Sequence, residues 1–162
     1  MVIKLIWVFL AGVAAFIAAS SVYDPQIILK NSFIEGFISH EVINALIVMV
    51  TVTLAVSFSL IEKVGVIRKK VDISEYSNDD KDGIFKSLDS VKSKIMNSAK
   101  LMVAYLLLST LFLVLASSML GAILGFKSFL IGSVLLFFLH SIILMVEMYL
   151  ELYKWDLSPE DV

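Results

Sequence analysis

The sequence predicts an all-α integral membrane protein of four transmembrane helices, with the second and third extended into a cytoplasmic helical stalk. Three observations predict it. Composition is the first: of 162 residues, 59% are hydrophobic, with a mean hydropathy of +0.94, whereas soluble domains are about half apolar. Distribution is the second: the apolar residues gather in blocks at 5–22, 41–61, 101–120 and 128–150, each close to the roughly 20 residues that cross a bilayer core. Charge placement is the third: nine of the 13 Lys and Arg fall between Lys63 and Lys100. The chain divides on this reading into 1–62 (two spans and an outer loop), 63–100 (stalk), 101–154 (a hairpin of two spans) and a tail, 155–162.

The first block has one lysine, an apolar run and "AAS", features shared with signal peptides. With Met1 retained, it reads as a spanning helix. Ala11, Ala15 and Ala19 stand four apart, beside Gly12. Small residues at that spacing let helix backbones approach closely in lipid, either within one subunit or between subunits.

The next segment, 23–40, is apolar for a loop. Leu29, Phe33 and Phe37 are four apart, as are Ile34 and Ile38. That spacing suits a short helix lying in the membrane interface; a hydrophobic loop packed on the bundle is the alternative. Either could act as an outward sensor. His40, Glu41 and Asn44 open the second span, as a polar cluster or simply as an interfacial helix start. Thr51, Thr53, Ser57 and Ser59 follow, with hydroxyls able to bond back to the preceding turn.

The second span has no stop signal. Ile61, Val64, Ile67 and Val71 continue its helical period, and Ile84, Leu88, Val91, Ile95 and Met102 lead into the third. Stripes this narrow fit a paired helical projection, with "SEYSNDDKDG" as the turn at its tip. Within that turn, Asn78, Asp80, Asp82 and Gly83 have the spacing of a calcium-binding EF-hand loop. The first ligand is Asn, however, and the twelfth position is Asp89 rather than Glu. The plainer account is a solvated turn in which Asp82 caps a helix starting at Gly83.

Basic residues set the orientation. Lys4, the nine between Lys63 and Lys100, and Lys154 lie on one side, eleven in all; Lys30 and Lys127 lie on the other. The eleven go inside. Both termini are then cytoplasmic, and the third and fourth spans are joined outside by a tight turn at 121–127.

The fourth span carries His140, Glu147 and Glu151 on one face. Ionisable groups in a membrane are costly and face the bundle interior or water. Tyr105 and Ser109 are candidate partners for His140. Lys100 is the candidate partner for Glu147, and Glu151 reaches the headgroups. An inter-helix polar clamp, an ion path and a protonation switch are all compatible with the spacing. There is no cysteine, which excludes disulfides and thiolate chemistry. No nucleophile, metal-ligand or phosphate-loop motif is present, so no catalytic residue, metal or cofactor is expected. No basic footprint for nucleic acid is present either. The tail "KWDLSPEDV" offers Trp155 and Leu157 to a docking partner, or ends the chain with Trp155 anchored in the interface.

Four spans, inward termini and a helical projection resemble the small membrane subunit of Kiwa-type phage-defence systems. The resemblance covers the whole chain as architecture, without a signature motif. It implies a tetramer that senses phage at the envelope beside a cytosolic DNA-binding partner, and it carries over no site residue. A second resemblance is to four-span immunity proteins against pore-forming bacteriocins, which need no stalk. A small oligomeric channel is a third reading. The sequence therefore points to a non-enzymatic scaffold and sensor in a bacterial inner membrane. Its expected partners are the lipid bilayer, further copies of itself as a tetramer, and a cytosolic protein, with no direct contact to nucleic acid. Arg68, Lys69, Lys70, Asp79, Asp80, Asp82 and Trp155 are the expected docking residues. His140 and Glu147 are the expected internal polar pair, and Ala11, Ala15 and Ala19 the expected packing stripe.

Overall fold

A computed structural model describes residues 2–38, 40–74 and 77–156. Every regular element among them is helical: α1 (Val2–Tyr23), α2 (Gln26–Leu29), α3 (Ser32–Phe37), α4 (His40–Ile73), α5 (Asn78–Ser117), a 3-10 turn (Met119–Ala122) and α6 (Leu124–Asp156). α1, α4, α5 and α6 are each long and apolar enough to cross a membrane. α4 has 34 residues and α5 has 40. By the rise of an α-helix they measure roughly 51 and 60 Å, well beyond a hydrocarbon core of about 30 Å.

The chain folds as two compact units. Met1–Val48 with Ala104–Ile143 forms the first, and Met49–Val103 with Leu144–Val162 the second. α4, α5 and α6 contribute residues to both.

In the first unit, α1 buries Leu10, Ile17, Ser20 and Ser21. Two glycines of α6 admit it closely. A Cβ on Gly125 would sit 2.6 Å from the Ser21 carbonyl oxygen, and one on Gly132 would run into the Ile17 side chain. Ser21 donates from Oγ to the Ile17 carbonyl at 2.7 Å, with Ser128 Oγ 3.4 Å away. The expected stripe is not this face: Ala11, Ala15 and Ala19 are all exposed. Spacing defines a face but not its orientation, and the glycines of α6 draw Ile17 and Ser21 inward instead.

The single interfacial helix expected at 29–38 is two short helices. The break falls at Lys30 and Asn31, because the Asn31 side chain accepts from the N–H groups of Phe33 and Ile34 and so starts a new helix; side-chain capping of this kind satisfies otherwise unpaired donors. Ile28, rather than Leu29, is the buried anchor. The turn between α5 and α6 is also earlier than expected. α5 stops at Ser117 and α6 starts at Leu124, so Lys127 already lies in a helix.

In the second unit the apolar stripes are the buried faces. Val64, Val71, Leu88, Ile95 and Met102 are buried, and Leu60, Ile95 and Met148 form a core from α4, α5 and α6. Where water is the alternative, burying each such side chain contributes roughly 1.5–3 kcal/mol. The tip differs from the expected long turn. α5 begins at Asn78, so Asn78, Asp80, Asp82 and Gly83 are helical, and a helix cannot wrap those carboxylates around one ion as a calcium loop does. Nor does Asp82 cap a helix at Gly83. Ser77 does the capping at Asn78: its Oγ accepts from the Asp80 N–H at 3.2 Å and donates to the Asp80 carboxylate at 2.7 Å. The Ser77 hydroxyl thus satisfies one of the unpaired donors at the start of α5.

Candidate functional site

Two clusters of polar side chains stand out, one in each unit. The first is built on α1, α5 and α6. His140 Nδ1 and Tyr105 Oη are 2.7 Å apart, a hydrogen bond whose donor depends on the imidazole tautomer. Tyr105 stacks on Phe137, with ring centroids 4.9 Å apart and planes at 11°. Trp7 meets His140 edge-on at 5.3 Å. Offset-stacked and edge-on pairs are the favoured aromatic geometries, so the imidazole is held by a hydroxyl and by ring contacts together. Along their helices, His140 stands roughly 24 Å from Leu124, Trp7 roughly 24 Å from Tyr23, and Tyr105 roughly 18 Å from Ser117.

These residues also line a cleft of about 300 Å³, with Leu10, Ala11, Ala14 and Leu136 completing its wall. No residue lining it is formally charged at neutral pH. Of the two partners expected for His140, Tyr105 makes the bond. Ser109 does not: its hydroxyl is fully buried and finds no hydrogen-bond partner among the described residues.

Glu147 is half-buried in the second unit. No ion pair reaches it among the described residues, and Lys100 is exposed. The Lys100–Glu147 pairing expected from the sequence therefore does not form. The carboxylate that meets a cation is Glu151, 3.6 Å from Lys94. Lys94 lies well within the charged stretch of α5, which allows α6 to run alongside it as far as Glu151. His140 and Glu147 share a face of α6, but they belong to different units.

The second cluster is the charged surface of 62–100. Arg68 pairs with Asp89 at 2.9 Å and lies over the Phe85 ring, 5.0 Å from its centroid. Lys81 donates to the Asp72 carbonyl at 2.9 Å. Both bonds link α4 to α5. The Arg68–Asp89 pair is about half exposed on each side, so it is worth at most about 1 kcal/mol and acts mainly to fix register. Lys69, Lys70, Asp79, Asp80 and Asp82 are exposed. Asp80 is occupied by Ser77, and Arg68 by Asp89 and Phe85. Trp155 falls in the last turn of α6, with its side chain outside the described ones; Leu157 and the rest of the tail also lie outside the described residues, as does the side chain of His40.

Among membrane hydroxyls, Ser57 bonds back to the Thr53 carbonyl at 2.7 Å. Thr53 and Ser57 are buried while Thr51 is exposed, so they do not form one continuous polar line.

Trp7 and Phe137 were not legible as site residues, since an aromatic on an apolar helix carries no signal of its own. Phe85 and Asp89 could have been found. Folding the sequence back about Ser77 and Asn78 sets Leu60 opposite Ile95 and brings Asp89 near Arg68. No protein-family model, curated protein or solved structure matches this chain.

Proposed function

We propose that this chain is a non-enzymatic scaffold and sensor of a bacterial inner membrane. On this reading it assembles as a homo-oligomer, a tetramer in the simplest case, and docks a cytosolic effector through the distal part of α4 and α5. Anti-phage defence is the setting that the architectural resemblance implies.

One observation carries the reading: α4 and α5 outrun a bilayer by roughly 20–30 Å, and the surplus is a paired, charge-covered element. A spanning helix needs no such surplus. An immunity protein that meets its toxin inside the membrane has no use for one. The distribution of basic residues, eleven against two, supports a cytoplasmic side for this pair and for both termini. The exposed Ala11, Ala15 and Ala19 supply a small-residue face for a second copy. The short helices α2 and α3 supply an apolar outer surface in a position to register disturbance of the envelope.

The test is intact-particle mass spectrometry after mild-detergent purification from native expression. The wild-type chain is expected to carry a stoichiometric cytosolic protein. The combined variant Arg68→Glu, Lys69→Glu, Lys70→Glu is expected to insert and oligomerise normally but to lose that protein. Because Arg68 also bonds Asp89, the Lys69→Glu, Lys70→Glu pair serves as the cleaner comparison. Binding retained in both variants sinks this docking surface. A bare wild-type oligomer favours the channel reading, and a lone monomer favours the immunity protein.

A further inference from the structure

We propose that the cleft between α2, α3 and the start of α6 binds the head group of an anionic phospholipid, with Lys30 and Lys127 holding its phosphate. This goes beyond the scaffold reading and stands whether or not the distal helices dock a partner.

The cleft has a volume of about 380 Å³ and lies within the first unit. Its polar lining is Gln26, Lys30, Glu35 and Lys127; the other six lining side chains are aliphatic and none is aromatic. Lys127 is half-buried and Ile28 is fully buried, so this is a recess rather than open surface. Two ammonium groups against one carboxylate leave the lining with a net charge of +1. The nearby Asp24 is not part of it: its carboxylate accepts from the Gln26 backbone N–H at 3.1 Å. Neither lysine forms an ion pair among the described residues, with Glu35 or with any other carboxylate. Like charges gathered in one recess repel, and an anion shared by both relieves that repulsion.

Placement decides the kind of anion. Leu124 begins both α6 and its candidate membrane span, and Lys127 stands in the first turn. The end of a span is the level of the lipid head groups. Ile131 follows one turn further along the span, on the hydrocarbon side of Lys127. The volume is at the small end of ligand sites, enough for a head group and the start of its chains but not for a whole lipid. A free phosphate matches the lysines and leaves the aliphatic wall unused. A choline head adds a cation to two others and finds no aromatic ring to receive it. A phosphate of net negative charge, carried on aliphatic chains that continue into the bilayer, matches the lysines and the wall together.

Native mass spectrometry of the full chain, delipidated in mild detergent, counts bound lipids directly. Titration with phosphatidylglycerol is expected to fill one saturable site per chain before weaker adducts form. Lys30→Gln and Lys127→Gln should each raise the half-saturation of that site roughly three- to tenfold, the scale of one charged contact at a partly solvated position. Glu35→Gln removes the opposing charge and should lower it. The pair Lys86→Gln, Lys92→Gln removes two cations from exposed positions of α5 and should leave it unchanged, which separates the cleft from general attraction to a basic surface. Circular dichroism and elution volume establish that each variant is folded. Half-saturation equal in the wild type, Lys30→Gln and Lys127→Gln places the lipid elsewhere and overturns the site. Phosphatidylcholine bound as tightly as phosphatidylglycerol overturns the selection for an anion. Phosphatidylethanolamine bound in preference, with its affinity lost in Glu35→Gln, assigns the carboxylate to an ammonium and overturns it as well. Displacement by inorganic phosphate at the lipid's own concentration means a simple anion site, and displacement by oleate as readily as by more phosphatidylglycerol means a fatty-acid site; either result overturns the proposal.

Discussion

Gly125→Val is expected to destabilise the first unit by about 1–3 kcal/mol, the usual cost of forcing extra carbons into a packed interface. The atom that a Cβ would meet is the Ser21 carbonyl oxygen, at 2.6 Å. That atom is backbone in the last turn of α1, so it cannot swing aside as a side-chain tip can, and α1 must move away from α6. Separation would also strain the neighbouring Ser21–Ser128 contact. Gly132→Val should also destabilise this unit, because its Cβ would meet the branched carbons of Ile17, which is buried and stiff at χ1. Gly12→Val is the reference, since its Cβ would meet nothing within 4 Å. Thermal unfolding in one mild detergent should lower the midpoints of Gly125→Val and Gly132→Val and leave Gly12→Val at the wild-type value. Equal midpoints for Gly125→Val and Gly12→Val would mean that α1 and α6 do not approach as described.

Ile95→Asp is expected to have the larger effect, and in the second unit. Ile95 is 2% exposed and packs with Leu60 and Met148, with Val56, Ile61 and Val91 around them. No cation partners the new carboxylate from within that core. An unpaired buried charge costs about 3–5 kcal/mol where it has been measured by removing its partner, and the lost apolar burial adds to it. Met96→Asp, one position along and 38% exposed, should be nearly silent. Hydrogen exchange is the direct readout: amides of 62–100 should lose protection in Ile95→Asp and keep it in Met96→Asp. Protection equal in the two variants would show that the α4–α5 pairing does not depend on this core.

Much of this architecture was legible in the sequence, because lipid removes most options. A backbone in hydrocarbon must satisfy itself as helix, so four long apolar blocks were enough to give four helices. The uninterrupted period from Ile61 to Val71 correctly implied that α4 continues past a bilayer's length. The narrow stripe from Ile84 to Met102 correctly picked out Leu88 and Ile95 as buried. Readings failed where a local bond outweighed composition. The acidic run after Ser77 looked like a loop, yet the Ser77 hydroxyl accepts from the Asp80 N–H and makes it the first turn of α5. Asn31 did the same to the outer segment, dividing one expected helix into two. The alanine spacing on α1 marked a face without saying that glycines on α6 would claim the opposite one. At the candidate site, His140 was conspicuous because it is costly in a membrane, and Tyr105 followed as one of few groups able to bond it. Trp7 and Phe137 cost nothing in lipid, so only their placement in three dimensions brings them into view.

Docking of a cytosolic protein requires 62–100 to lie on the cytoplasmic side, and the absence of native cysteine makes that side directly measurable. Single-cysteine variants Asp82→Cys and Ser32→Cys, both at exposed positions, would be treated with a membrane-impermeant maleimide on intact spheroplasts and again after lysis. The account predicts that Ser32→Cys labels in intact spheroplasts and that Asp82→Cys labels only after lysis. Labelling of Asp82→Cys in intact spheroplasts would put the charged pair outside and contradict a docking site for a cytosolic protein.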